Sequence, residues 1–216
     1  KAEYSALVKQ FCAEQQVTEI SDVLLTHWHG DHTGGVGDLR SMFPAAKVWK
    51  MARPMNQDQF DTSGPYLDIK EGQEFRTEGC VLKAVYTPGH ADDHMCFYLP
   101  EEQACFAGDN VLGSGTTVFE DLAEYTASLK RIKALNPCRL YPAHGPVVEN
   151  GQERIDMYLK HRQEREQQIL EALEAFPDKQ ASVWDLVTVV YKGMPYSTML
   201  AAVKPVTQHL HKCEKE

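Results

Sequence analysis

The chain has 216 residues, of which 43% are hydrophobic and 25% are charged. These proportions are ordinary for a soluble globular protein, and no apolar run in the sequence approaches the length of a membrane-spanning helix. The length favours one main domain with a small appendage. The formal net charge of −9 argues against a general nucleic-acid binder, which is expected to be basic.

The first predicted elements alternate between helix and strand. Residues 2–16 predict a helix because apolar side chains share one helical face. The run at residues 22–26 (Asp-Val-Leu-Leu-Thr) predicts a short buried strand that ends directly at His27. A short helix ending near Met42 and a strand over residues 47–51 complete this part of the chain.

From Ile69 onward the pattern is typical of β-structure, with glycine-containing turn signals between short apolar runs. The two runs that flank Pro100–Gln103 predict a hairpin. A later segment has apolar residues at three- and four-residue steps, which predicts a helix. Strands are thus predicted over residues 81–86, 95–99, 104–107 and 139–141, and a helix over residues 119–135.

After Asn150 the pattern changes, and one long charged helix is predicted to run to about Phe176. Pro177 ends it, since proline disrupts a helix. Further helical stretches are predicted over residues 182–191, 196–203 and 206–214. We therefore expect a main domain of residues 1–164 and a small helical C-terminal domain of residues 165–216.

Four candidate metal ligands lie directly after the first predicted strand. They are His27, His29, Asp31 and His32 in the segment THWHGDH. Zinc accepts imidazole nitrogens and carboxylate oxygens. His27 and His29 are two apart in an extended loop, so they can hold one ion, while Asp31 and His32 can turn toward another. Neither pair completes a tetrahedron, so more distant ligands are required.

Three further candidates each follow a predicted strand: His90, Asp109 and His144. Because loops beyond strand ends converge on one edge of a sheet, these side chains can join the first four. The sequence therefore predicts a metal centre with seven ligands: His27, His29, Asp31, His32, His90, Asp109 and His144.

The other histidines have a different interpretation, because an isolated histidine is usually structural. We interpret His161, His209 and His211 as surface or packing residues. His209 and His211 are two apart on a predicted helix and so point to different sides. His94 is expected to support the metal ligands through a hydrogen bond.

The segment THWHGDHTGG resembles the signature of the metallo-β-lactamase superfamily. Three later segments, TPGHADDHM, FAGDNVLGSGTTVFEDL and YPAHGPVV, resemble those of the β-lactamase-like protein 2 family. The resemblance covers nearly the whole chain and implies an α/β fold, the αββα metallo-β-lactamase sandwich, with a winged-helix-like C-terminal domain. It also implies first strands with an Asp-Thr-Gly segment and a final β-wing, which this sequence lacks. We therefore expect a longer protein or a partner to complete the fold.

The resemblance also implies two zinc ions per chain, one held by His27, His29 and His90 and the other by Asp31, His32 and His144. Asp109 would bridge both ions, a hydroxide between them would be the nucleophile, and Asp31 would orient it. Asp31 and Asp109 are therefore the expected catalytic residues. The implied activity is that of an endoribonuclease that cleaves phosphodiester bonds of single-stranded RNA in the mitochondrial matrix, with the cytoplasm as the alternative location.

Other residues are candidates for contacts with the substrate. Two Zn²⁺ ions outweigh the carboxylates and hydroxide of the centre, which offsets the negative net charge locally. Basic residues add to this attraction or, as we favour, form a solvated surface: Lys47, Lys50, Arg53, Lys130, Arg131 and Lys133. The loop Gly113–Thr117 either holds a phosphate or caps a helix through Thr116 or Thr117. Trp28 either stacks on a base or, as we favour, packs under the site.

Two alternatives come from other functional classes. A thioester hydrolase of the glyoxalase II type shares the THxHxDH pattern, although the tail contains no obvious glutathione-binding residues. A catalytically silent structural subunit of a larger assembly is the other alternative, and the intact ligand set opposes it. For the protein's own partners, a larger assembly or a homo-oligomer is expected. Zinc is the expected metal, while manganese and iron accept similar ligands.

Overall fold

A computed structural model of the protein describes residues 2–53 and 65–215. The helices are α1 (Ala2–Glu14), α2 (Gly30–Thr33), α3 (Val36–Met42), α4 (Leu122–Ala134), α5 (Gly151–Glu174), α6 (Val183–Val190) and α7 (Tyr196–Lys215). The strands are β1 (Asp22–Leu24), β2 (Lys47–Lys50), β3 (Leu67–Asp68), β4 (Glu74–Thr77), β5 (Cys80–Tyr86), β6 (Met95–Leu99), β7 (Ala104–Gly108) and β8 (Arg139–Pro142). Among the described residues, no helix is both long and apolar enough to cross a membrane.

The strands form two sheets. Because successive side chains along a strand point to opposite faces of its sheet, neighbouring residues contact different layers. The first sheet is parallel with the order β1-β2-β3, and the second has the order β4-β5-β6-β7-β8, antiparallel except between β7 and β8. In the first sheet, Val23 and Leu25 pack with Val36 of α3, whereas Leu24 between them packs with the second sheet. This is the period-two pattern of a strand whose two faces are both covered.

The second sheet is also covered on both faces. Met95 and Phe97 of β6 are buried in the core between the sheets, and the partly buried Leu24 packs against them. Cys96, which lies between them in the sequence, belongs to the opposite core, where Tyr125 of α4 and residues of α5 pack. The layer order of helix, sheet, sheet and helix confirms the predicted αββα sandwich.

Helix α4 begins three residues later than predicted, with Asp121 as its N-cap. The predicted cap at Thr116 or Thr117 is therefore wrong. The backbone N–H groups of Glu120 and Asp121 donate to the carbonyl of Gly89 at 2.7 Å and 3.1 Å. This pairing with a neighbouring loop keeps the segment out of the helical conformation.

The C-terminal helices have a core of their own. Ile169 in the second half of α5 packs there with Leu186 of α6 and Val206 of α7. A capping box between Ser182 and Asp185 begins α6, so its first backbone N–H groups are satisfied. Helix α5 is continuous through the predicted boundary near residue 165, and the division into two domains stays a prediction.

Residues 196–215 form a single helix, so the prediction of separate helices over 196–203 and 206–214 is wrong. Pro205 lies inside it and cannot donate a backbone hydrogen bond. The helix nevertheless continues, because Ala202, Val206 and His209 on one face of it are buried. Tertiary packing of one face can override an unfavourable residue in a helix.

The loop after β5 contains Gly89, whose backbone touches α4 directly. Gly89 has a φ of 122°, and a Cβ at this position would lie 2.3 Å from the Cα and N atoms of Tyr125. Only glycine permits both this close approach and the positive φ. The contact holds the loop against α4 just where His90 follows in the sequence.

We expect Gly89→Ala to lower the free energy of unfolding by about 3 kcal/mol, because the clash is with backbone atoms that cannot rotate away. Gly37→Ala in α3 is the matched control. Nothing lies within 4 Å of its added Cβ, so this change should be neutral or stabilising by up to about 1 kcal/mol. Urea denaturation followed by circular dichroism measures both variants, and a wild-type midpoint for Gly89→Ala would contradict the clash.

Helix α7 buries His209, which is 1% exposed, and a carboxylate oxygen of Glu166 lies 3.5 Å from its Nδ1 atom. Burial lowers the pKa of His209 to about 4, although Glu166 opposes the shift. The folded protein therefore favours the neutral ring, whereas the unfolded chain binds a proton near the ordinary value of 6.5. The stability that this difference supplies is complete above pH 6.5 and is lost as the pH falls toward 4.

Between pH 7 and pH 5 the wild-type protein should lose about 2 kcal/mol of unfolding free energy that a His209→Gln variant retains. Urea denaturation at the two pH values, with a chelator present to remove metal binding from the comparison, measures this difference. If both proteins showed the same pH dependence, protonation of His209 would not be its cause.

Candidate metal centre

The side chains of the predicted metal site follow the ends of four strands. The loop after β1 contains His27 and His29, and α2 begins directly after it, which places Asp31 and His32 in one helical turn. The loops after β5, β7 and β8 contain the others: His90, Asp109 and His144. The structure brings all seven predicted residues together in two adjoining clusters.

The first cluster consists of His27, His29, His90 and Asp109. The Nε2 atom of His27 lies 2.9 Å from Nδ1 of His29. The Nε2 atom of His90 lies 3.3 Å from Nε2 of His27 and 3.1 Å from Nδ1 of His29. His27 and His90 are buried, so three ring nitrogens meet at one point away from bulk water.

The second cluster consists of Asp31, His32 and His144. The Oδ2 atom of Asp31 lies 3.1 Å from Nε2 of His144 and 3.5 Å from Nε2 of His32. The side chains of Asp31 and His144 are 58% and 51% exposed. This cluster is therefore the open side of the centre.

Asp109 lies between the clusters with one carboxylate oxygen toward each. Its Oδ1 atom is 3.5 Å from Nε2 of both His32 and His144. Its Oδ2 atom is 3.6 Å from Nε2 of His90. This is the arrangement that a carboxylate needs in order to bridge two cations.

The hydrogen bonds around the rings show that the clusters fit metal ions. The Nδ1 atom of His90 lies 2.8 Å from the carbonyl oxygen of Val118, so Nδ1 holds the proton and the lone pair of Nε2 points toward the other rings. The Nε2 atom of His32 and the Oδ1 atom of Asp109 are buried without a hydrogen-bond partner. Converging lone pairs repel one another unless a cation lies between them, so the donor set suits divalent metals such as zinc.

The surroundings keep these groups in their metal-binding form. Burial, reinforced by neighbouring histidines, lowers the pKa of His27 far below its ordinary value. Burial also lowers the pKa of His90 to about 4, although the Val118 carbonyl and Asp109 oppose it. Burial alone would raise the pKa of Asp109, but the surrounding histidines outweigh it and lower this pKa. At neutral pH these rings are neutral and the carboxylate is charged, as metal binding requires.

Buried residues behind the ligands hold them in place. The Nε2 atom of His94 accepts the backbone N–H of Asp109 at 3.1 Å, which is the supporting role expected for His94. Asp93 accepts the backbone N–H of Trp28 at 3.4 Å and the ammonium group of Lys50 at 2.9 Å. Such outer partners typically change metal affinity or activity by about 10–100-fold when they are removed.

Sequence reasoning missed the roles of Asp93 and of the Val118 carbonyl. Asp93 lies in the segment HADDHM beside another aspartate, and the sequence does not show which of the two is buried. A backbone carbonyl leaves no signal in a sequence, because every residue has one.

Four of the six basic residues that were candidates for substrate contacts, and for which we favoured a solvated surface, form ion pairs. Lys50 is buried, and Lys47 and Lys130 are exposed. The pairs are Lys50 with Asp93, Arg53 with Asp92, Arg131 with Glu71 and Lys133 with Asp156. The buried side chains of Lys50 and Arg53 depart from the solvated surface that we favoured, whereas the exposed Lys47, Lys130 and Arg131 fit it.

Trp28 packs under the site, as we favoured. Its ring contacts the ring of His29 edge-on at 4.6 Å and lies 4.4 Å from the guanidinium of Arg53. The loop Gly113–Thr117 is separated from α4 by residues 118–121. The loop is therefore not at the N-terminus of a helix, and its interpretation as a phosphate site stays a prediction.

Comparisons with known proteins agree with this fold and site. The family described as the Metallo-beta-lactamase superfamily matches residues 11–144. The Beta-lactamase-like protein 2 homolog of Caenorhabditis elegans is 38% identical over 99% of this chain and 71% of its own length. An atrochrysone carboxyl ACP thioesterase of Aspergillus fumigatus is 44% identical over 86% of this chain and 57% of its own length. A metallo-beta-lactamase family protein of Thermus thermophilus has a TM-score of 0.70 at 23% identity, covering 90% of this chain and 74% of that chain.

The family match begins in α1 and ends at His144, so it contains every ligand of both clusters. The relative from C. elegans extends the similarity through the C-terminal helices. The layers of the fold and the order of the ligands along the chain agree with this assignment. The chain therefore belongs to the metallo-beta-lactamase superfamily and is a hydrolase.

Proposed function

We propose that this hydrolase is a two-zinc endoribonuclease of the mitochondrial matrix that cleaves phosphodiester bonds in single-stranded RNA. The observation that carries the proposal is the pair of ligand clusters joined by Asp109, which sets two cation sites side by side. Two ions about 3.5–4 Å apart can stabilise both the attacking and the leaving oxygen of a phosphodiester. The resemblance to the β-lactamase-like protein 2 family supports RNA as the substrate.

When bound, the ions supply an activated water and offset the charge of the phosphate. The residues of the chain fix where this happens. His27 and His90 present neutral nitrogens from a buried pocket, and Asp109 sets the spacing between the two sites. The carboxylate of Asp31, on the exposed side, can accept a hydrogen bond from a water molecule and orient it toward the phosphorus.

The shape of the centre suits a polymeric substrate. Its first cluster is buried, while Asp31 and His144 of the second are more than half exposed. A strand can therefore lie across the exposed cluster without its ends entering the protein. The position of His144 at this edge supports attack in the middle of a chain, as an endonuclease requires.

Hydrolysis of an acyl-carrier thioester is the second candidate function. It is favoured by the 44% identity to the acyl-carrier-protein thioesterase of A. fumigatus. The same centre suits this reaction, because acyl transfer to water also needs an activated water and a stabilised oxyanion. This chain spans 57% of that relative's length.

Asp109→Asn preserves the side-chain volume but removes the negative charge that faces both clusters. We expect fewer than two bound zinc ions per chain and a fall in kcat/KM of at least about 100-fold, since the loss of a mere outer partner already costs up to that much. Mass spectrometric metal analysis of the same samples distinguishes zinc from iron and manganese. Asp156→Asn, which removes an exposed carboxylate outside the centre, is the matched control. Full metal content and full activity in Asp109→Asn would exclude a bridging role.

The substrate class is tested by offering the zinc-loaded protein a single-stranded RNA oligonucleotide and, separately, an acyl-pantetheine thioester. We expect internal cleavage of the RNA that stops on chelation and returns on addition of zinc, because both cation sites must be filled. Mass spectrometry of the products locates the cut. Hydrolysis of the thioester with no cleavage of RNA would replace the proposal with the second candidate.

A further inference from the structure

A cationic cavity lies beside the segment that supports His90. It has a volume of about 380 Å³, is open to solvent on one side, and is lined by the loop before α4, by α5, by Tyr191 and by α7. Its basic lining residues are His161, Arg162, Arg165, Lys204 and His209. Among the described residues that line it there is no aspartate or glutamate. Three permanent positive charges therefore share one cavity in a chain whose net charge is −9.

Two of the lining side chains are buried and have unused hydrogen-bonding atoms. Arg162 is 9% exposed, and its Nη2 atom donates to the carbonyl of Thr117 at 3.0 Å, while its Nε has no hydrogen-bond partner. His209 is almost fully buried, and neither of its ring nitrogens has a hydrogen-bond partner, although a Glu166 oxygen lies 3.5 Å from Nδ1. Buried donors without acceptors are costly, so an acceptor bound in the cavity would be stabilised.

The remaining cations are placed to assist such a ligand. The guanidinium of Arg165 lies 4.4 Å from the ring centre of Tyr191, which holds it in position by a cation–π contact. Lys204 lines the cavity and is exposed. The cavity therefore contains the guanidinium groups of Arg162 and Arg165 and the ammonium group of Lys204. Proteins commonly bind phosphate with these two kinds of side-chain group.

The cavity and the metal centre share a wall. Val118 accepts the Nδ1 proton of His90 at 2.8 Å, and the Oγ1 atom of Thr117 is 3.2 Å from the same nitrogen. The carbonyl of Thr117 accepts Arg162. A continuous set of contacts thus connects a metal ligand with a cavity cation, and only two residues of chain separate the two compartments.

We propose that this cavity binds a backbone phosphate of the RNA strand adjacent to the scissile one, an inference that rests on the proposed endoribonuclease function. Successive phosphates of a strand lie close together, as a shared wall of two residues requires. In a phosphopantetheine thioester, by contrast, the whole pantetheine chain separates the phosphate from the reacting bond. The observations therefore favour RNA over an acyl carrier as the occupant.

The test compares the zinc-loaded wild-type protein with Arg165→Gln/Lys204→Gln. Arg162 is left intact because it also supports Thr117 and the ring of Phe119. Lys160→Gln/Lys179→Gln is the matched control, since it removes two exposed positive charges outside the cavity. Each protein is assayed on a single-stranded RNA oligonucleotide and on bis(4-nitrophenyl) phosphate, a phosphodiester with no neighbouring phosphate.

For the cavity variant, the ratio of kcat/KM on RNA to kcat/KM on bis(4-nitrophenyl) phosphate should fall about tenfold, mainly through KM. The slope of log KM for RNA against log salt should decrease by about 0.7, the value for one lost phosphate contact on a single strand. The control variant should keep the wild-type ratio and slope.

An unchanged ratio and slope in the cavity variant would overturn the cavity assignment while leaving the endoribonuclease proposal intact. If the wild-type protein cleaved bis(4-nitrophenyl) phosphate but not RNA, the proposed function would fail, and the RNA assignment of the cavity with it. A raised KM for an acyl-4′-phosphopantetheine thioester, which carries a phosphate, with kinetics on RNA unaffected, would assign the cavity to phosphopantetheine and so also overturn the proposal.

Discussion

The structure depends on one unusual arrangement, the convergence of ring nitrogens from His27, His29 and His90 at separations of 2.9–3.3 Å. The Val118 carbonyl keeps the proton of His90 on the far side of its ring, so the Nε2 atom of His90 presents a lone pair to the other two rings. A cation placed between the three nitrogens can accept all of them as ligands at once. Metal binding therefore contributes to the stability of the fold as well as to its chemistry, because the unfolded chain contains no preformed site.

The sandwich supplies the rigidity that this arrangement needs. The ligands are brought together by strand ends from both sheets, and a direct bond joins those sheets at the site, since the backbone N–H of Met95 donates to the carbonyl of Thr26 at 2.7 Å. The His27 loop and the start of β6 therefore cannot move independently. On the other side, the contact of Gly89 with α4 holds the His90 loop. The ligands are thus positioned by backbone contacts that do not depend on long, mobile side chains.

The seven side chains of the centre could be predicted from the sequence because each group of them follows the end of a predicted strand, whereas the layers of the fold were implied by the resemblance to the superfamily. An apolar run stops where a histidine or aspartate begins, and strand ends converge. Interactions set by packing could not be predicted in this way. Lys50 and Lys130 look alike in the sequence, yet one is buried against Asp93 and the other is exposed. The residues of the cationic cavity come from α5, α7 and the loop before α4, which are far apart in the sequence, so no local sequence pattern predicts the cavity. The prediction of two helices in place of α7 was wrong because Pro205 was interpreted as a helix end.

The continuity of α5 constrains how this protein can vary in length. Tyr158 packs in the core under the second sheet and donates to the carbonyl of Gly115, whereas Ile169, farther along the same helix, packs in the core of the tail. Adding or deleting one residue between them would rotate the tail by about 100° and shift it by about 1.5 Å. Lys204, and Arg165 as well if the change lies before it, would then move away from the loop residues that complete the cavity. Related chains that retain this cavity should therefore tolerate insertions in the connecting loops but keep this stretch of helix at constant length, or change it only by whole turns.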